Sequence, residues 1–170
     1  MIKEAMQNDN NILDRSIYED EIFMKMNTEM GNATKVEYDI YKSLLNNMME
    51  ELPYAAHKKS PDLMITIKVS YETMIKRIIK RGRDYEQIEK DPSLVDYYHR
   101  LLSHYDDWMD EYDESPLLII DGDKYDFVSN VKDRVKILET IEDKLYDLGN
   151  LEQTKVDELR KAHLEILKQQ

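Results

Sequence analysis

An α/β fold with a mostly parallel sheet is predicted by three features of the sequence. Apolar runs of strand length, at 61–69 and 117–120, alternate with longer segments of helical spacing. The first run holds Leu63, Met64, Ile65, Ile67 and Val69, and is close to continuous, as in a strand covered on both faces. Only four Gly and four Pro punctuate the 170 residues, so the helices should be long.

The elements follow in order. Residues 1–7 read as the tail of a helix, ended by Asn8-Asp9-Asn10-Asn11. Ile12 and Leu13 read as the end of a strand, with Asp14-Arg15-Ser16 at its carboxyl edge. Ile17, Ile22, Met26 and Met30 space a helix over 17–30 that Gly31 stops. A second helix covers 34–52, with Val36, Ile40, Leu44, Leu45 and Met48 on one stripe and Pro53 behind it. After the 61–69 strand, Ser70 is a natural N-cap for a helix over 71–80 that carries Met74, Ile75, Ile78 and Ile79, with Gly82 at its end. Asp91-Pro92-Ser93 opens the next helix. Its stripe of Leu94, Tyr97, Tyr98, Leu101, Leu102, Tyr105, Trp108 and Tyr112 reads as core rather than as a stacking platform. The 117–120 strand closes on Asp121-Gly122-Asp123, and a helix over 131–148 has Gly149 behind it. Residues 1–148 then form the main domain. Residues 149–170 append a charged amphipathic helix whose Leu151, Val156, Leu159, Leu164 and Leu167 pack on the body or on a partner.

Composition removes several classes of function. There are no Cys residues, which excludes disulfides and thiolate zinc sites and fits a reducing cytoplasm. A net charge of −12 disfavours a nucleic-acid polymer as partner and is suited to solubility. No apolar run reaches membrane-spanning length, and residues 1–11 hold no signal-peptide core, so a cytoplasmic protein without a membrane partner is expected. The four His residues show no ligand spacing, and the ten Met residues read as core filler.

Three groups of residues could carry chemistry. In open α/β sheets, ligands bind beyond the carboxyl ends of the strands. There an Asp14 carboxylate can accept a proton or hold a hydrated metal ion, and an Arg15 guanidinium can fork onto phosphate oxygens. Asp20 lies where it can line the same cleft. Taken alone, the triplet also reads as a helix cap with a surface ion pair, which is the plainer reading. The second group is Arg77-Ile78-Ile79-Lys80-Arg81-Gly82-Arg83-Asp84-Tyr85-Glu86. Arg77 and Arg81 share a helix face, and Arg83 follows a Gly where the chain can bend. Such a cluster suits a flap closing over a transferring phosphoryl group, and equally a solvated helix face with Glu86 as an ion-pair partner. The third is the loop Asp121-Gly122-Asp123-Lys124-Tyr125-Asp126-Phe127, which stands where ligand-touching loops stand but is also ordinary turn chemistry.

Taken together, Leu13-Asp14-Arg15-Ser16-Ile17-Tyr18-Glu19-Asp20, the 77–86 stretch, Asp91-Pro92-Ser93-Leu94 with Tyr97-Tyr98, and the 120–127 segment resemble the deoxynucleoside kinase family. The resemblance runs from about residue 1 to about residue 148 and is nearest to the bacterial deoxyadenosine/deoxyguanosine kinases. It implies a P-loop kinase-like fold, a parallel sheet wrapped by helices. The implied reaction moves the γ-phosphoryl group of ATP, with Mg2+, to the 5′-hydroxyl of a purine deoxynucleoside. It also implies that a homodimer through helices is common. By resemblance, Asp14 is the motif acid, as proton acceptor or magnesium partner, and Arg15 contacts the 5′-oxygen and phosphates. Asp20 reads the base edge. Arg77, Arg81 and Arg83 are the lid arginines on ATP, and Glu86 binds the sugar 3′-hydroxyl. Tyr125, Asp126 and Phe127 lie against the adenine of ATP. Met24 stands where many members carry an aromatic that stacks on the base, which implies weaker stacking.

The departures carry an expectation of their own. No G-x-x-x-x-G-K-[ST] occurs in these residues, and glycines at 31, 82, 122 and 149 cannot make one. The family places that loop, and its first two strands, upstream of everything seen here. Lid arginines without the P-loop's N–H groups and Lys face ATP without its main cradle. The chain alone is therefore expected to be inactive and marginally stable, with the Ile12 and Leu63 strands pairing with each other or leaving edges open. The competing reading is a non-catalytic remnant that binds a nucleoside or a partner protein.

Overall fold

The computed structural model describes residues 11–14, 17–50 and 60–168. The expected helix at 1–7, Arg15 and the stop at Pro53 lie outside the described residues. The chain divides into two compact units, residues 1–61 with 84–112, and residues 62–83 with 113–170.

In the first unit, α1 (Ile17–Glu29), α2 (Lys35–Glu50) and α4 (Leu94–Glu111) form the body, with α1 packed against both others. Ile22 and Met26 on α1 meet the α4 side, where Tyr98 and Met109 are buried, and Phe23 stacks edge-on to Tyr105. The aromatic stripe of α4 is therefore core. At the other contact, α2 turns Tyr38, Tyr41 and Leu45 inward, and the Tyr38 hydroxyl donates to Glu21 at 2.5 Å. The expected apolar stripe of α2 does run along one face, but Val36, Ile40, Leu44 and Met48 are exposed. Polar pairing to Glu21, from Tyr38 and from Lys42 at 2.9 Å, has chosen the opposite face for contact.

In the second unit, β1 (Met64–Lys68) pairs in parallel with β2 (Leu117–Asp121), Met64 opposite Leu117 and Lys68 opposite Asp121. Between them runs α3 (Tyr71–Arg81), and after β2 come α5 (Val131–Asp147) and α6 (Gln153–Lys168). Met64, Ile78, Ile120, Val135 and Val156 are the buried apolar side chains. Strand β1 thus pairs with β2 and not with the Ile12 segment. Residues 11–13 form no strand, and Ile12 is fully exposed. Two apolar residues make too short a run to compete for a sheet edge without a longer partner.

Local signals placed the ends of α3. Ser70 is its N-cap, its side chain accepting from Thr73 N, and Gly82 caps the C-terminus in the left-handed region at φ 71°. Asp91 accepts the Ser93 N–H at 3.0 Å ahead of α4, and Asn130 caps α5 by accepting from Lys132 and Asp133. Helix α6 packs on α5 through Val156 and a polar cluster in which Arg160 pairs with Glu142 and Asp143, and His163 Nε2 lies 3.3 Å from Glu142. Leu164, expected on the packing stripe, is exposed, because the buried row runs through Val156 and His163 instead.

Met26 is completely buried. Met26→Ala should lower the stability of the first unit by about 2–5 kcal/mol in urea titrations at unchanged m-value. A loss below about 1 kcal/mol would mean that α1 is not the centre of that core.

Candidate functional site

The carboxyl ends of β1 and β2 lie side by side, because the register matches Lys68 with Asp121. Leaving β2, Gly122 donates its N–H to Lys68 O at 2.8 Å. A Cβ there would sit 2.6 Å from Val69 Cγ1 and 2.9 Å from Ile67 Cγ2, so a glycine is what lets the two strand ends approach. Asp121 Oδ1 then accepts from the N–H groups of Asp123 and Lys124 at 3.0 and 3.1 Å, turning the chain.

The loop that follows is held from two sides. On the α3 side, Asp123 receives the Ser70 N–H on both oxygens, at 3.1 and 3.0 Å, and the Ser70 hydroxyl at 3.1 Å. One guanidinium nitrogen of Arg77 donates to Gly122 O at 2.6 Å and to Tyr125 O at 3.5 Å. On the α5 side, Asp126 N donates to Asp133 at 2.8 Å, and Ser129 N donates to Asp126 at 3.1 Å. Arg134 grips the carbonyls of Phe127 and Val128, both at 2.9 Å. Tyr125 and Phe127 end half-buried, Asp126 is exposed, and the Lys124 ammonium lies 5.2 Å from the Tyr125 ring centre.

These contacts fix the charge of the loop. The Thr73 hydroxyl, then the N–H and hydroxyl of Ser70 and the Arg77 charge, hold the Asp123 carboxyl below its ordinary range. The Ser129 N–H, with the Lys80 charge further off, does the same for Asp126. Arg77, Tyr125, Asp126 and Phe127 are thus gathered at one strand end. Arg81 and Arg83 stand at the other end of α3, on either side of Gly82, both exposed.

The remaining sequence-predicted residues belong to the first unit. Asp14 is exposed in a bend, and Arg15 lies outside the described residues. Asp20 is exposed in the first turn of α1, near Tyr41, whose hydroxyl is raised above its ordinary pKa by burial and then by the charges of Asp20 and Glu21. Met24, on the same helix, is half-buried. Tyr38, half-buried and hydrogen-bonded to Glu21, is pushed up to about 12. Glu86 is half-buried at the end of the 3-10 turn Asp84–Glu86, and its carbonyl accepts from the Tyr98 hydroxyl at 2.9 Å. Among the described residues no three His, Asp or Glu side chains converge as a metal site. Asp14 itself offers one exposed carboxylate, a donor of the kind that suits a hydrated magnesium ion.

The family model for deoxynucleoside kinases matches residues 1–146. The chain belongs to the deoxynucleoside kinase family. It is 56% identical to a deoxyguanosine kinase of Lactobacillus acidophilus over 150 residues, covering 88% of this chain and 65% of that protein. A deoxyadenosine kinase of the same organism is 51% identical, with 88% and 69% covered. A deoxyadenosine/deoxycytidine kinase of Bacillus subtilis is 31% identical, with 80% and 59% covered. The chain thus spans about two thirds of the length of its Lactobacillus relatives. No solved structure matches it. A parallel sheet with helices accords with the P-loop kinase-like fold of the deoxynucleoside kinases. No helix among the described residues is long and apolar enough to cross a membrane.

Sequence reasoning missed the supports of the loop. Ser70 was legible as a cap, but its bond to Asp123 joins residues 53 apart. Arg134 gave no signal, since nothing local marks its bonds to carbonyls six and seven residues upstream.

The pKa shifts give a testable pH dependence. Asp123 and Asp126 have folded pKa values below the unfolded 3.8, so their hold on the loop is present above that value and is lost as pH falls through the depressed values. Amide protection over 122–129, corrected for intrinsic exchange, should stay level from about pH 7 to about pH 5 and drop below about pH 4. Protection that stays level to about pH 2 would contradict this.

Proposed function

We propose that this chain is the larger part of a kinase that transfers the γ-phosphoryl group of ATP to the 5′-hydroxyl of a purine deoxynucleoside, deoxyadenosine or deoxyguanosine. The observation that carries the reading is its 56% and 51% identity to a deoxyguanosine and a deoxyadenosine kinase. The gathering of Arg77, Tyr125, Asp126 and Phe127 beyond the carboxyl ends of a parallel pair supports it, since ligands of open α/β sheets bind there.

In this reading Asp14 accepts the proton of the attacking 5′-hydroxyl or steadies a magnesium ion through water. Arg15 forks onto the 5′-oxygen and phosphates. Asp20 reads the base edge, Met24 lies against the base, and Glu86 accepts from the 3′-hydroxyl. Arg81 and Arg83 bring positive charge to the transferring group, where the transition state spreads its charge over phosphoryl oxygens. A magnesium ion held through Asp14 would supply positive charge that offsets the charge developing on the phosphate oxygens. Tyr125, Asp126 and Phe127 form a wall for the adenine ring. The protein acts in the cytoplasm.

We further infer a homodimer. Val36, Ile40, Leu44 and Met48 recur every four residues along α2, all exposed, flanked by the small polar side chains of Asp39, Ser43 and Asn47. A two-fold dimer would bury this same face of α2 on both subunits.

Two experiments test these statements. The 170 residues alone should show no transfer from ATP to deoxyadenosine or deoxyguanosine. Preceded by a P-loop segment supplied from the L. acidophilus deoxyguanosine kinase, they should turn over, and Asp14→Asn should cut that rate by about 10²-fold or more. A folded fusion that binds a deoxynucleoside but never transfers phosphate favours the non-catalytic reading. Turnover by the chain alone overturns the expected inactivity. In light scattering, Leu44→Glu should convert a dimer to a monomer of unchanged helix content. A parent chain that is already monomeric sinks the dimer.

A further inference from the structure

The resemblance assigns no role to Asp123, Ser70 or Thr73, yet several hydrogen bonds join them at the carboxyl ends of the strands. Ser70, Thr73 and Arg77 follow one another at spacings of three and four, so they share one face of α3. Ser70 and Arg77 engage the loop after β2. Asp123 takes the Ser70 N–H on both carboxylate oxygens and the Ser70 hydroxyl on one. The Ser70 hydroxyl also lies 3.2 Å from the Thr73 hydroxyl. Arg77 completes the row by holding the carbonyls on either side of the turn, Gly122 O at 2.6 Å and Tyr125 O at 3.5 Å.

The position of this carboxylate is informative. It sits at the N-terminal end of an 11-residue helix, where unpaired N–H groups and the helix dipole favour an anion. Here the protein's own Asp123 takes that place, so the α3 N-terminus serves as an anchor for the loop and not as a phosphate site. The same helix ends in Lys80, Arg81 and the left-handed Gly82, with Arg83 beyond. One rigid rod therefore carries the loop at its start and the arginine cluster at its end.

We propose that Asp123 is a positioning residue for ATP. Its carboxylate, with Arg77 as second tie, docks the 122–127 loop on α3, so that the aromatic wall and the arginine cluster keep one fixed spacing, that of an adenine ring and its phosphates. Arg77 acts through the loop carbonyls it holds. This inference rests on the reading of 125–127 as a nucleotide contact. Asp123 itself touches no substrate. Its removal should loosen the wall for the adenine ring while leaving deoxynucleoside contacts alone, since Asp20, Met24 and Glu86 belong to the other unit.

The test is equilibrium titration of the chain preceded by the P-loop segment described above, with ATP and, separately, with deoxyguanosine, for the unaltered fusion, Asp123→Ala, Asp123→Asn and Arg77→Ala. Hydrogen exchange over 122–129 is followed in parallel. Asp123→Ala and Arg77→Ala should each raise the ATP Kd about tenfold, leave the deoxyguanosine Kd unchanged and speed exchange in the loop. Asp123→Asn keeps an oxygen for the Ser70 N–H, so it should recover part of both losses, which a general loss of stability would not produce. An ATP Kd that neither Asp123→Ala nor Asp123→Asn changes overturns the inference alone. An unaltered fusion that binds deoxyguanosine but no ATP at millimolar concentration removes the nucleotide reading of the loop, and this inference with it.

Discussion

The in-register pairing of β1 with β2 decides where the chemistry of the second unit can stand. It brings Lys68 opposite Asp121, so both strands end at the same height. Gly122 then passes within van der Waals distance of β1, where any Cβ would strike Val69 and Ile67. That close approach delivers Asp123 to the N-cap of α3 and fixes the path of the loop behind it. A register slip of one residue would turn Asp123 to the opposite side and strand the loop. Every contact made by Arg77, Asp126 and Arg134 follows from this placement.

Helices α3 and α5 take up the two ends of the loop. α3 holds it with Ser70 and Arg77, α5 with Asp133 and Arg134. α5 is itself braced by α6 through Glu142, Arg160 and the buried His163. Burial pushes the Glu142 carboxyl up, while His163 and Arg160 pull it back without prevailing. Breaking such a pair by removing one partner leaves a buried group uncompensated, so the cluster fixes the seating of α6 more than it adds stability. The loop against the candidate nucleotide site is thus supported from α6 inward, by elements whose own sequences show no functional signal.

Much of this was legible from local rules. Ser70 and Gly82 bounded α3 because caps act on nearest neighbours, and the continuous apolar run at 61–69 declared a strand. The aromatic stripe of α4 declared a core because its spacing is helical over five turns. What stayed hidden was longer in range. Which face of α2 would pack was set by Tyr38 and Lys42 bonding to Glu21 across 17 and 21 residues, against a more regular apolar row. Ile12 and Leu13 read as a strand end but join no strand among the described residues. The roles assigned to Asp14, Asp20 and Glu86 come from ordered motifs shared with a family, since their spacing alone also fits caps and surface pairs. The Asp123–Ser70 bond needed the fold, because nothing in a 53-residue separation announces it.

The central claim is that the loop after β2 and the arginine end of α3 face one nucleotide. Photo-crosslinking with an azido-adenine analogue of ATP, followed by peptide mapping, tests it most directly. The account predicts label on Tyr125, Asp126 or Phe127, lost in competition with ATP. Label confined to α2, α5 or α6, with none on the loop, would contradict it.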